Sequence, residues 1–424
     1  MLDIDISVKV YAQAMPETTT SVTSVPSDVQ SGTSFPYLTT GVLSLVLALT
    51  VAAESLPAAI MPQMAATLGA DNLQIGLLLS AWAVTVILAS IPLARLTRRI
   101  DRRFVVSGSL AVFALGSIGT ALAPTYEIAL VTRVVTAAAH GLLWSVVIVY
   151  ATAILDSRHL GRGLAIVTGG VTVALALGLP AGAAIALVGD WRFAFLGVGV
   201  LVGILSFIVA RFLPRVASEA SVPAQSEPDT EPAKGDASRA PVAALLAAAL
   251  VFAFGHFTLF AYITPYLTDA AHFDAGWTGP LLALFGAAGF VGILVSGLTV
   301  DRWPAIALPV TFASMAVATV ALAVAPAVPA LVVAGVFVWG VAMGAMSPLV
   351  QTAVMRTASP QLRATASAAL VVSFNSGIAA GSWVGGVVES TAGTPANAAV
   401  TAVASTASVV LVLLAQKLAA RARL

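Results

Sequence analysis

Glu54 lies in an apolar run, Tyr37 to Met64, that holds no other charged side chain. In hydrocarbon an ionisable group costs at least ~2.5 kcal/mol by insertion scales, so where one survives it faces a protein interior or a water-filled cavity. The chemistry open to a carboxylate at that depth is to take up and release a proton, and Glu54 reads as a proton-coupling site. Arg133 stands at comparable depth in another apolar run and is read as its candidate partner, since opposite charges there relieve each other and their separation changes the carboxyl's hold on a proton. The alternative for Arg133 is snorkelling to the interface. The four histidines, His140, His159, His256 and His272, are too scattered for a metal cluster. His256, at mid-span, is either a group that binds a proton or substrate or a packed structural histidine. The same holds for His140, where packing beside Gly141 is favoured. Trp144, Tyr262, Trp339, Gln351 and Asn375 add aromatic faces and amides at membrane depth and are candidates for lining a cavity, although helix packing explains each one singly.

These residues sit in a chain built for a bilayer. Of 424 residues 59% are hydrophobic and 9% charged, against roughly 25% charged in a soluble domain. The net charge of +1 gives no basic footprint for nucleic acid. The lack of cysteine excludes disulfides, thiolate metal sites and cysteine nucleophiles. No Gly-xxxx-Gly-Lys-Ser/Thr loop offers an ATP site, and no cofactor is expected, so an ion gradient is the consistent energy source. A membrane enzyme would need clustered ligands or a serine with a paired base, and neither pattern is present.

Twelve continuous apolar runs are long enough to cross ~30 Å of hydrocarbon. They fall at about 38–62, 74–94, 104–123, 128–153, 163–187, 193–213, 241–267, 278–299, 305–326, 329–354, 364–388 and 396–417, giving an all-α integral membrane fold. Residues 1–36, rich in Ser, Thr and Pro, read as a disordered tail in which Met1 or Met15 is the start, and 419–424 as a second tail. Cations cluster on alternate loops: Arg95, Arg98, Arg99, Arg102 and Arg103, then Arg158 and Arg162, Arg302, Arg356 and Arg363, and Lys417, Arg421 and Arg423. The other loops carry Asp71, Glu127, Asp190, Asp269, Asp274 and Glu389, with Arg192 as their cation. Positive charge accumulates on the cytoplasmic side, so both termini are expected there. A Pro/Ser/acid-rich linker, 214–240, divides the spans into bundles at 37–213 and 241–418. The halves repeat: Leu78–Arg99 aligns without gaps on Leu281–Arg302, matching Trp82 with Phe285, and His140-Gly141 before Arg162 corresponds to Trp339-Gly340 before Arg363. Such repeats belong to transporters that rock two bundles around a midplane site.

From about 38 to 418 the chain resembles the major facilitator superfamily, in particular its twelve-span drug:proton antiporter branch with sugar and drug efflux members. Gly297, Asp301 and Arg302 match the cytoplasmic Gly-xxx-Asp-Arg signature, in which glycine allows close helix approach and the charged pair ties the loop to helix ends. In the first half Ala94, Arg98 and Arg99 stand at those positions, with Asp101 out of register. Arg133 begins a segment similar to the family's intramembrane-arginine motif. Gly178, Pro180 and Gly182 are similar to its antiporter motif, which bends and tightly packs the fifth helix. The resemblance implies proton-coupled efflux of a small drug-like or sugar-like molecule by alternating access, across a bacterial cytoplasmic membrane and as a monomer. An uptake symporter of the same fold is the alternative; a non-transporting receptor lacks its usual appended soluble domain.

Overall fold

The computed structural model describes residues 36–155, 160–215 and 236–422. The expected tail before Pro36, most of the linker, Arg158, His159 and Arg423 lie outside the described residues. Among the described residues, twelve helices are long and apolar enough to span a membrane: α1 Tyr37–Ala59, α2 Asn72–Leu96, α3 Arg102–Ala121, α4 Tyr126–Ile154, α5 Arg162–Val188, α6 Arg192–Phe212, α7 Arg239–Phe260, α8 Ala275–Thr299, α9 Ala307–Val324, α10 Pro329–Thr357, α11 Thr365–Ala392 and α12 Thr394–Arg421. Among the described residues there is no strand. Helices satisfy their own backbone polar groups, which hydrocarbon demands. Polar side chains mark their starts: Asp71 and Gln74 form a reciprocal capping box on α2, at 2.7 and 2.9 Å, and the out-of-register Asp101 caps α3 through the Arg103 N–H. α12 stays helical through Arg421, past the expected tail boundary at 419.

Prolines shape two helix ends in parallel ways. α1 stops before Ile60 and a short helix, Met61–Leu68, follows; α7 stops short of Tyr262, before Ile263–Pro265 and a wide turn, Tyr266–Ala270. The sequence reads the seventh span as continuous to 267, and the break corrects that: Pro265 has no N–H to bond back to Ala261. Pro62 likewise leaves the Ala58 carbonyl without its usual donor. Thr264 supplies one, its hydroxyl donating to Ala58 O at 2.9 Å and Ala59 O at 3.1 Å.

That bond joins the first six spans to the last six. So do Asn72 Nδ2 to Glu389 Oε1 at 2.9 Å and Ser80 Oγ to Ala379 O at 2.8 Å. Tyr262 is buried against Gly76 of α2 while its hydroxyl donates to Ser382 O, and α8 meets α5 where Gly286 lies on Ala176. Among the described residues, every hydrogen bond between halves lies toward the arginine-poor end. Toward the arginine-rich end the bonds stay within a half. α2 has no buried residue beyond Val86, and α11 has none from Ser367 to Ser376.

At the arginine-rich end the Asp236 carboxylate accepts from Ser238 N, Ser238 Oγ and Ser359 Oγ at 2.9, 2.7 and 2.6 Å, tying the start of α7 to the loop after α10. These bonds hold its pKa below the usual carboxylate value, the Ser359 hydroxyl contributing most. A depressed carboxylate stabilises the fold above its unfolded pKa and loses that contribution as pH falls through the folded value. The tie is therefore expected to persist at neutral pH and to release only below the ordinary carboxylate range. In Ser359→Ala the carboxyl ¹³C titration of Asp236 should move up toward the ordinary value; an unmoved titration contradicts the assignment.

Candidate functional site

Glu54 is on α1 one turn before Pro57. Proline withholds the N–H that Ala53 O would accept, and a membrane helix with such a gap borrows a donor from a neighbour. The donor is Arg133 of α4: Nη1 donates to Ala53 O and Nη2 to the backbone oxygen of Glu54, both at 2.8 Å. Arg133 is 1% exposed, with its guanidinium 4.1 Å from the Trp82 ring centroid and 5.7 Å from that of Phe195. Two carbonyls and two aromatic faces replace the water it has lost. Snorkelling is thereby excluded. The hydrogen bonds of Arg133 go to the backbone of Ala53 and Glu54 and not to the carboxylate.

The carboxylate faces His140 instead, with Oε2 3.4 Å from Nε2; the two side chains are 22% and 4% exposed. Trp82, Phe113 and Trp144 surround the imidazole at ring-centroid distances of 5.2, 6.0 and 6.2 Å. His140 Nδ1 is buried with no hydrogen-bond partner. Trp144 is half-buried and packs against Val51, Ala52 and Ala174, so of the cavity candidates it is the one placed beside Glu54. The site thus joins a fixed cation, a partly accessible carboxylate and an imidazole, an arrangement able to hold or release one proton at Glu54.

Glycines of α5 press that helix onto this part of α1. A Cβ at Gly178 would fall 2.6 Å from the Cβ of Ala52, and one at Gly182 would overlap Leu56. The sequence expects tight packing from Gly178, Pro180 and Gly182, and the helix also widens into a π-type turn at Ala174–Gly178 just before Pro180.

In the second half, Trp339 Nε1 donates to His256 Nδ1 at 2.9 Å, and both rings are buried with Phe257, Phe260 and Phe285. In this conformation His256, Trp339 and Tyr262 are core residues rather than cavity walls. Asn375 is half-buried and bonds back to Val371 O at 3.1 Å. Gln351 is exposed and, with Pro348, Thr352, Met355, Arg356 and Arg363, lines an open groove of about 390 Å³ at the arginine-rich end. Asp301 pairs with Arg356, which also donates to Val300 O at 3.0 Å, so the loop after α8 is tied to α10. Arg302 stacks on Trp303. Gly297 has open space around it, so the close approach expected there is absent; Gly292, packed on Val341 of α10, provides it.

His140 as the carboxylate's neighbour was missed, and so was the backbone grip of Arg133. Pro57, four residues after Ala53, was the available signal for the second.

A profile of the Major Facilitator Superfamily matches residues 43–382. A chloramphenicol efflux pump of Mycobacterium tuberculosis is 30% identical over 82% of this chain and 84% of its own length. A probable sugar efflux transporter of Mannheimia succiniciproducens is 27% identical over 79% and 83%. In fold, the chain is similar to a bacterial homologue of the human lysosomal transporter Spinster, inward-facing and unoccupied (TM-score 0.69, 19% identity, 92% of this chain and 98% of that one). It is also similar to the nucleoside transporter NupG (TM-score 0.70, 16% identity, 90% and 99%). With twelve apolar helices and these relatives, the chain is a multi-pass membrane transporter and belongs to the Major Facilitator Superfamily.

Proposed function

We propose that this protein exports a small, neutral, amphipathic or sugar-like molecule in exchange for protons, with Glu54 as the proton carrier. The observation that carries the reading is a partly exposed carboxylate at membrane depth whose side chain meets an imidazole, beside a buried arginine that fixes its backbone. The names of the relatives, chloramphenicol and sugar efflux proteins, favour export over uptake and suggest the substrate class. With the arginine-rich end cytoplasmic, the hydrogen bonds between halves close the outer end, and the conformation is inward-facing like the Spinster homologue. In that state Glu54 releases its proton as substrate binds from the cytoplasm. In the outward state it loads a proton as substrate leaves. The bundles at 37–213 and 241–418 rock about the site between these states.

The test is transport in energised inverted vesicles with chloramphenicol and a panel of sugars at varied external pH. Uptake into the vesicles driven by the proton gradient and collapsed by a protonophore is expected. Substrate accumulation by intact cells would point to the symporter instead.

The outer closure gives a separate prediction. Thr264→Val strands the Ala58 carbonyl and should shift the population toward the outward-open state by about 5-fold, the equivalent of one ordinary hydrogen bond. The chain has no cysteine, so Ile75→Cys, buried in α2 one turn from Asn72, is a clean reporter. Its labelling by an impermeant maleimide from outside should accelerate by that factor in Thr264→Val, and an unchanged rate would contradict the closure.

A further inference from the structure

The two halves place one interaction twice, with different side chains. Glu54 lies six residues before the break at Ile60 (φ −127°, ψ 22°), and His256 six before the break at Tyr262 (φ −113°, ψ 24°). His140 precedes Gly141, which packs on Val86 of α2; Trp339 precedes Gly340, which packs on Phe285 of α8. The aromatic neighbour repeats as well: Trp82 is 5.2 Å from His140 and Phe285 is 5.1 Å from Trp339, ring to ring. In each half, then, a ring nitrogen of the fourth helix faces a side chain of the first.

The chemistry of the two pairs differs. An indole has a single N–H and only donates, so His256 Nδ1 must accept and the 2.9 Å bond has one arrangement. Glu54 and His140 have several, because the carboxyl can hold or release a proton and the imidazole can carry its proton on either nitrogen. Their 3.4 Å separation is longer than a formed hydrogen bond but within one small rotation of it.

We propose that His140 is the positioning residue through which α4 senses the proton on Glu54. This rests on the reading of Glu54 as carrier. The neutral imidazole, its proton on Nε2, faces the ionised carboxylate as donor to acceptor. One proton from the water at the exposed side of Glu54 then bonds to a carboxylate oxygen, and Nε2–H faces the neutral carbonyl oxygen of a carboxylic acid in place of a carboxylate. The contact passes from a charge-assisted bond to a weaker neutral one, and a switch of the imidazole proton to Nδ1, buried among Trp82, Phe113 and Trp144 with no partner, offers nothing in exchange. Proton uptake therefore loosens α1 from α4 at this point, and the His256–Trp339 pair is the copy that stays shut. The ionisable groups facing the pair are Glu54 on α1 and Arg133 and His140 on α4; the middles of α2, α3, α5 and α6 carry none in their sequence.

The test needs no substrate. With ¹⁵N,¹³C-histidine and ¹³C-glutamate in the detergent-solubilised full chain, the His140 resonance is identified by its loss in His140→Gln and that of Glu54 by its loss in Glu54→Gln. The expected result is a neutral Nε2–H tautomer at alkaline pH whose signal changes with the same midpoint as the Glu54 carboxyl and becomes indifferent to that pH range in Glu54→Gln. A His140 signal that titrates identically in wild type and Glu54→Gln, or that forms imidazolium independently of Glu54, would overturn the inference. Wild type alone decides the matter by whether the two midpoints coincide. If Glu54→Gln also loses gradient-driven export while His140 ignores Glu54, this inference alone fails; if Glu54→Gln exports normally, the carrier reading fails whatever His140 does.

Discussion

Glu54→Gln is expected to lower gradient-driven export by about 100-fold, the low end of what a positioned acid–base group supplies, while leaving the fold intact. Glutamine nearly matches glutamate in volume and keeps an oxygen and a donor toward His140, and Arg133 holds the backbone of residue 54, not its side chain. Thermal unfolding in detergent should therefore stay close to wild type. What the variant lacks is a group that changes charge. Downhill movement of substrate, which needs no proton, should survive at a measurable rate, so the defect separates coupling from conformational change. The measurement is initial uptake into inverted vesicles with and without an imposed pH gradient. An export rate still doubled or more by the gradient in Glu54→Gln contradicts the proposal.

Removing Arg133 should have the larger effect on stability. In Arg133→Gln the carbonyls of Ala53 and Glu54 lose charged donors in a buried setting, where an unsatisfied polar group costs about 1–3 kcal/mol. The aromatic faces of Trp82 and Phe195 lose their cation as well. A loss of about 2 kcal/mol and a clear fall in Tm are expected. The cause assigned to that loss is specific and can be checked by rescue. Pro57→Ala restores the N–H that Ala53 O lacks, so in the Arg133→Gln background it should recover part of the lost stability, whereas neighbouring sites with no shared partner would simply add. A double variant no more stable than Arg133→Gln would show that Arg133 does not stand in for the missing backbone donor.

The twelve spans could be read from run length alone, because hydrocarbon thickness and backbone satisfaction leave few options for continuous apolar runs of this size. The break of the seventh span was also present in the sequence, at Pro265, but hydropathy is blind to it: Tyr262 to Leu267 is as apolar as a helix continuing. Depth matching paired Glu54 with Arg133, and in the structure the guanidinium hydrogen-bonds the Glu54 backbone. Charge complementarity suggested a side-chain pair, whereas the local deficit at Ala53, created by Pro57, claimed the guanidinium first. His140 was placed beside Gly141 as a packing residue, and it does pack, against three aromatic rings. Its second role depends on helix rotation, which a single apolar run does not encode. The internal repeat held that information in part, since the position matching His140 is Trp339, and in the structure both reach the first helix of their half. Gly297 shows the opposite error: a motif position whose expected close contact occurs nearby, at Gly292.

On the proposed mechanism, Glu54 gives up a proton when substrate binds. This is tested most directly by adding chloramphenicol to the purified, detergent-solubilised protein in weakly buffered solution and reading proton release with a pH-sensitive dye. Release is expected from wild type, approaching one proton per bound molecule at a pH where Glu54 is protonated beforehand, and none from Glu54→Gln although it still binds chloramphenicol. Binding without proton release in wild type, or equal release from both proteins, would contradict it.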